Sequence, residues 1–419
     1  ILTRDWSSDV CSSDLGYVLG TKGKLFASRS TRILLRSMSD APSKYALYGW
    51  GSSMMGVGSG LRSKEKMMPR PIIGFDKKIK SLSVGRDHLA AVTDDGLLYT
   101  WGRNGKYECG QGHGDDVLEP TLVSTLQDFP LKKVVCGDNH TAALSEDGLV
   151  FTWGMGGSMW SAGALGHGDK EPQPTPVVID YFYDNGITIK DIQSGCNFMC
   201  AMTDKGEIYS WGRGEYGTLT TTNTKDELVP KKSDFPSVYG KVVDIVCGYT
   251  SCMMRTEDGK VYTWGRDDDS QLGRGQGLSM DSYAIDYTPL PIELPEGETV
   301  KEMAAGYGSA AILCDSGNVY WWGMKLHLTP YQEIIMKKFN NEENARLLKV
   351  RKITCGGHMI DALTEEGLLY TWGDARKQPY GLPNHHAVSA TEIKTLSDLG
   401  EVYDVAAGQT MVLAAVKLH

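Results

Sequence analysis

The stretch VGRDHLAAVTDDGLLYTWGRN, residues 84–104, sets two short apolar runs on either side of Asp94-Asp95-Gly96 and ends in Trp101-Gly102-Arg103-Asn104. The runs favour strands, being rich in β-branched and aromatic residues. Asp/Glu-x-Gly between them is hairpin-turn chemistry, because Gly supplies the positive φ that a tight turn needs. Tyr99 and Trp101 are two residues apart and share one strand face, with Thr100 on the other. The continuation, NGKYECGQGHGD, crowds glycines, Cys109 and His113 together. That composition suits a phosphate-cradling loop, a metal site or a repeating structural unit. Internal repetition decides among the three.

Trp-Gly recurs at Trp50, Trp101, Trp153, Trp211, Trp264, Trp322 and Trp372, at intervals of 50 to 58 residues. Sixteen residues before each of the last six lies a glycine: Gly85, Gly137, Gly195, Gly248, Gly306 and Gly356. Eleven residues after each of those lies another, from Gly96 to Gly367, preceded two places earlier by Asp or Glu. A further apolar run often starts near a proline, as in PTLVSTL at 120 and PVVIDYF at 176. Each unit therefore holds about four strands, which fits a propeller blade. Gly408 opens a seventh unit whose Trp would fall past the end, whereas Trp50 has its strand but no upstream glycine. The two half-units complete each other. The expected fold is all-β: a seven-bladed β-propeller over residues 41–419, its last blade closed by N- and C-terminal strands, which removes exposed edges.

These motifs carry a resemblance. VGRDHLAAVTDDGLLYTWGRN, CGDNHTAALSEDGLVFTWG and CGYTSCMMRTEDGKVYTWGRDDDSQLGRG resemble the repeats of the regulator of chromosome condensation family, over roughly residues 41–416. The resemblance implies a seven-bladed propeller. It also implies two activities: guanine-nucleotide exchange on a Ran-type small GTPase, and chromatin binding. Light-sensing members use a Trp cluster built around Gly-Trp-Arg repeats, which this chain lacks.

The candidate sites read as follows. The glycine-rich loops after Trp-Gly recur in several blades and none has the GxxxxGK[ST] arrangement, so they are structural turns. His88 and His140 stand three residues after a blade glycine, where other blades carry Phe198, Ser251, Ser309, Met359 and Met411; packing or a local hydrogen bond is the expectation. His113 and His167, in matching GHGD loops, make no metal set without further ligands. Cys136, Cys247 and Cys355 precede the blade glycine where small side chains are wanted, and are read as buried inert thiols. No catalytic constellation, cofactor or metal is expected. The departures from the repeat are the candidate partner-binding positions. Met159 and Trp160 are inserted in the third Trp-Gly loop, and Asp267, Asp268 and Asp269 offer an acidic face. Lys325 and His327 lie in WGMKLHLTPYQEII, which shortens one connection. Thr329-Pro330-Tyr331-Gln332 reads as strand rather than capping box, and NNEENARLL as a helix.

The formal net charge of −9 argues against bulk nucleic-acid binding through charge. Hydrophobic content of 41% and charged content of 23% are ordinary for a globular protein, and no apolar run nears the ~20 residues that span a bilayer. Nine Cys without paired CxxC spacing favour a reduced compartment. Residues 1–15 contain DWSSDVCSSDL, which can be encoded by a sequence resembling a sequencing-library adapter, and are expected to be contamination. Residues 16–40 are expected to be unstructured. Within them, residues 16–37 are basic and free of acids, and two readings stay open: a truncated mitochondrial transit peptide, or sequence upstream of a start at Met38. The expected protein is a monomeric interaction scaffold, cytoplasmic or nuclear, with a protein partner such as a small GTPase. The alternative is a mitochondrial member supporting organellar ribosome or RNA function.

Overall fold

The computed structural model describes residues 17–19, 25–27, 43–51, 67–158, 161–221, 223–233, 235, 239–275, 284–337, 346–374, 381–382 and 387–419. Seven four-stranded antiparallel sheets stand around a central channel, and three two-stranded ladders accompany them. The first blade runs Ile79–Val84, His88–Thr93, Leu98–Gly102, Val117–Leu122, from the channel outward. Five further blades begin at Leu131, Ile189, Val242, Val300 and Val350 and keep the same order. The seventh combines Gly400–Ala407 and Met411–Leu418 with Tyr45–Gly51 and Arg70–Pro71. Its ladder runs from Tyr45↔Lys417 to Gly51↔Met411. Trp50 thus supplies the tryptophan that the C-terminal half-unit lacks, and the termini fasten the ring as the repeat count requires.

Both faces of a blade pack against neighbouring blades, so the alternation of a half-exposed strand disappears. The second strands His88–Thr93, His140–Ser145 and Phe198–Thr203 are buried at every position. The seven repeat tryptophans are all 0% exposed. Each removes roughly 150–250 Å² from water, worth about 4–6 kcal/mol at 25 cal/mol/Å². Each glycine column has its own cause. Gly96 and its equivalents close the hairpin turn at positive φ, +83° in Gly96. Gly137 has no such φ; a Cβ there would stand 2.0 Å from the His140 ring, so the blade glycine makes room for the side chain three residues on.

Blade is joined to blade in three ways. Backbone amides form a belt at one end of the channel: Asp138 to Cys196, Cys196 to Tyr249, Tyr249 to Gly306, Tyr307 to Gly356 and Gly357 to Gly408, with N···O distances of 2.9–3.1 Å. The indole Nε1 of Trp153, Trp211, Trp264 and Trp322 donates to a carbonyl of the preceding blade's loop: Glu108, Ala164, Thr218 and Gln271, at 2.8–3.1 Å. His88 Nε2 meets the Thr141 hydroxyl at 2.8 Å and His140 Nε2 meets Ser194 at 2.9 Å, each reaching into the next blade.

Two local expectations resolve here. Thr329 to Gln332 lie in the strand His327–Glu333, as the proline column indicated; Pro330 is tolerated on this outermost strand because it owes no amide to a neighbour. Of the expected helix NNEENARLL only Arg346, Leu347 and Leu348 are described, and these are not helical. Arg346–Leu347 pairs with Met336–Lys337, and residues 338–345 lie outside the described residues. Leu348 donates to Ile335 at 2.9 Å and both side chains are buried; burial at the base of this hairpin overrides local helix propensity. Within 16–40, Tyr17–Leu19 pairs with Leu25–Ala27. Among the described residues no helix is long and apolar enough to cross a membrane.

Candidate functional site

In six blades the connection leaving the third strand hydrogen-bonds to the turn that joins the first two strands of the same blade. Arg103, Met155, Arg213, Arg266, Met324 and Asp374 donate their amides to Asp87, Asn139, Asn197, Thr250, Gly308 and His358. The variable loops and one mouth of the channel therefore share a face, and the Asp/Glu-x-Gly turns lie on the other. The repeat places these six third-strand connections on one surface. The insertion after the fourth strand His327–Glu333 instead meets the Asp/Glu-x-Gly turns of the opposite face, where Glu365 donates its amide to Lys349.

At the mouth of the channel, Tyr249 donates its hydroxyl to Asp138 Oδ2 at 2.7 Å. Arg86 stands 3.9 Å from the same carboxylate. Tyr249 packs on Tyr307 at 4.8 Å, and Tyr307 on the His358 ring at 5.4 Å. Burial pushes the Asp138 carboxyl above its ordinary range, against the pull of Tyr249 and Arg86. Below the mouth the channel encloses about 460 Å³ between the seven innermost strands. Its charges face one another in pairs: Lys133 with Asp191 at 2.6 Å, and Lys352 with Asp404. Glu302 is pushed up to about 7, chiefly by burial, with Lys352 opposing and the Asp244 charge adding.

The groups able to do covalent chemistry are withdrawn from solvent. Burial holds His88 down at about 4 and His140 at about 3, so both are neutral linkers near pH 7. Burial likewise pushes the Cys136 and Cys355 thiols up, which suppresses the thiolate a nucleophile needs. His113 is exposed, whereas His167 is half-buried, with its Nε2 against the Thr152 hydroxyl at 3.0 Å, and desolvation holds it down at about 4.

Met159 and Trp160 lie outside the described residues. Asp267, Asp268 and Asp269 do lie on the loop face, but their charges are engaged. Asp267 Oδ1 accepts the Leu272 amide at 2.9 Å, Asp268 pairs with Arg266 at 2.6 Å, and Asp269 pairs with Lys325 at 3.6 Å. The run is a folded loop rather than a free acidic face. Met324 and Lys325 form a two-residue turn with φ of +55° and +57°, closed by Leu326 N to Gly323 O at 3.0 Å. This is the shortened connection seen in the sequence. His327 sits 4.6 Å from the Trp321 ring and stacks on Tyr331 at 4.1 Å, a packed residue rather than a free contact. The sequence reading missed Tyr216, held between Arg213 and Arg266 at 5.5 and 5.3 Å. Its signal was an aromatic outside every repeat column.

The shortened connection has a second consequence. It offers no loop carbonyl to the following blade, and Trp372 Nε1 is buried without a hydrogen-bond partner. Trp50 and Trp101 Nε1 are likewise buried without a partner among the described residues, so three seams of the ring lack the clamp that four others have.

The fold is a seven-bladed propeller with its third-strand connections and channel mouth gathered on one face. Over residues 46–414 it matches the RCC1-like domain, and the chain belongs to that family. Human HERC2, an E3 ubiquitin-protein ligase, is 31% identical over 377 residues; the match covers 88% of this chain, which spans 8% of that protein's length. The Arabidopsis thaliana mitochondrial protein RUG3 is 27% identical, with 84% of this chain and 83% of RUG3 covered. Among solved structures, Prp20p of Saccharomyces cerevisiae aligns over 90% of this chain and 93% of its own, with a TM-score of 0.73 at 20% identity.

Proposed function

We propose that this chain is a propeller regulator whose loop face binds a small GTPase of the Ran type and accelerates release of its guanine nucleotide. The observation that carries the reading is the single face on which the channel mouth and the variable connections meet, with the titratable nucleophiles sequestered beneath it. Nucleotide exchange requires no covalent chemistry. It requires a rigid surface that binds the empty GTPase better than the loaded one, since only differential affinity shifts the equilibrium. A ring closed by amides and indole clamps supplies the rigidity. Arg86, Arg103, Arg213 and Lys325, with Asp87, Asp138 and Glu215, supply polar groups of both signs on that face. Prp20p is described with its binding to Gsp1p and histones, and the family resemblance supplies the Ran-type class. The protein acts as a monomer in this account.

The test is a panel of purified small GTPases, including Ran-type and mitochondrial members, preloaded with fluorescent GDP. Micromolar chain is expected to accelerate release from one of them. No acceleration with any member overturns the exchange reading. The basic stretch 16–37 and the similarity to RUG3 favour a second reading, support of an organellar ribosome or RNA by a mitochondrial family member. Mitochondrial import of a chain with its intact transcript-encoded N-terminus supports that reading, and a translation start at Met38 removes the basic stretch on which it rests.

A further inference from the structure

We propose that Cys200, Cys247 and Cys252 form a three-coordinate site for a soft monovalent metal ion, Cu(I), at the seam between the third and fourth blades. The three come from three strands, Phe198–Thr203, Val242–Cys247 and Ser251–Thr256. Cys247 and Cys252 are direct partners across their hairpin, and their sulfurs are 3.8 Å apart. All three sulfurs lie within 4.8 Å of one another. A metal–thiolate bond of about 2.3 Å places three ligand sulfurs of a trigonal site roughly 4 Å apart. The sulfur triangle already has close to that size.

The chemistry of the site selects the ion. Cysteine is the donor type that soft ions prefer. Among the described residues no His, Asp, Glu or fourth Cys joins the group. Cys200 and Cys252 are 0% exposed, and the surrounding core is Phe198, Ile208, Leu219, Ile245, Tyr262 and Trp264. Zinc takes a fourth ligand or a water, and among the described residues no fourth ligand of that kind joins the group. Cu(I) accepts three sulfurs. Cys247 also lines the central channel, which gives the ion a way in.

The fold does not require sulfur at these places. At the equivalent seams the trio reads Ala90, Cys136 and Thr141; Ala142, Ser194 and Met199; Met253, Ala305 and Ala310; Ala311, Cys355 and Ile360; Asp361, Ala407 and Val412; and Leu413, Val84 and Leu89. Three sulfurs coincide at one seam of seven. As thiols the three form a hydrogen-bonded cluster: burial pushes Cys247 and Cys252 up, while their S–H groups lower Cys200. Each thiol that becomes a ligand thiolate gives up one proton, so affinity rises with pH.

The test uses the full chain, reduced and metal-free under argon, titrated with Cu(I) against a chromophoric Cu(I) chelator. One equivalent is expected to be withheld from the chelator, and X-ray absorption is expected to show three sulfur scatterers at about 2.3 Å. Cys200→Ala, Cys247→Ala and Cys252→Ala are each expected to weaken retention at least tenfold. Alanine occupies each of these positions in other blades, so the variants should fold, and thermal unfolding checks it. Cys314→Ala, a buried thiol at a different seam, is expected to retain the ion. Failure of the reduced wild-type chain to withhold Cu(I), retention unaffected by the three variants, or tighter uptake of Zn(II) in a parallel titration overturns the assignment.

Discussion

The indole clamps between blades yield a prediction whose size follows from geometry. Trp211 and Trp372 occupy the same column, and both are 0% exposed. Trp211 Nε1 donates to the Ala164 carbonyl at 2.8 Å; Trp372 Nε1 has no partner. Replacing either with Phe removes the same atoms and leaves a similar cavity, so those costs cancel when the two variants are compared. What remains is the hydrogen bond. In Trp211→Phe the buried Ala164 carbonyl is stranded, which costs about 1–3 kcal/mol. In Trp372→Phe an unmet donor disappears, so that contribution is zero or favourable. Trp211→Phe is therefore expected to be less stable than Trp372→Phe by about 1–3 kcal/mol. Urea unfolding of the two variants in parallel, with equal slopes, measures the difference. Equal losses, within the ~0.5 kcal/mol by which independent sites usually agree, would refute the clamp as a source of ring stability.

Asp361 is completely buried, neither carboxyl oxygen has a hydrogen-bond partner, and burial pushes it up to about 7. Its folded form holds a proton that the unfolded chain releases near pH 4, so stability is greatest below that pH and falls as pH rises towards 7. The loss reaches up to about 4 kcal/mol above pH 8, at 1.36 kcal/mol per pKa unit. Asp361→Asn should flatten that slope in thermal melts between pH 4 and 8; an unchanged slope contradicts it. Lys325→Gly relieves a non-glycine residue at φ +57°, a conformation costing roughly 1–2 kcal/mol, and forfeits a half-exposed pair with Asp269. A net gain of about 1 kcal/mol is expected, and a net loss would show that the ion pair dominates. Gly137→Ala puts a Cβ 2.0 Å from the His140 ring and is expected to cost more than the roughly 1–3 kcal/mol of ordinary overpacking; a neutral result in urea unfolding contradicts the assigned role of the blade glycine.

What could be read from the chain was what the repeat writes in columns. The spacing of glycines and tryptophans carried the seven blades, the closure by Trp50 and the positive-φ turns, because each of those depends on residues within one unit. The joints between blades were not legible in the same way. The amide belt is backbone bonded to backbone, which leaves no residue signature. The sulfur triangle brings Cys200 to Cys247 and Cys252 across a seam, so its spacing matches no metal motif. The Asp267–Asp269 run looked like an acidic face, since sequence records charges and not partners. Arg266 neutralises one member and Lys325, from the next blade, another. NNEENARLL has helical composition, and at its described end, Arg346–Leu347, pairing with Met336–Lys337 replaces the helix.

Under the proposed exchange activity, the loop face and not the opposite face engages the GTPase. Fluorescent-GDP release from the responding GTPase can be compared for Arg86→Glu and Arg103→Glu on the loop face and for Glu257→Lys on the hairpin-turn face. Loss of acceleration in the first two, with the wild-type rate in the third and unchanged melting temperatures in all three, is the predicted result. Full acceleration by both loop-face variants, or a loss confined to Glu257→Lys, would contradict it.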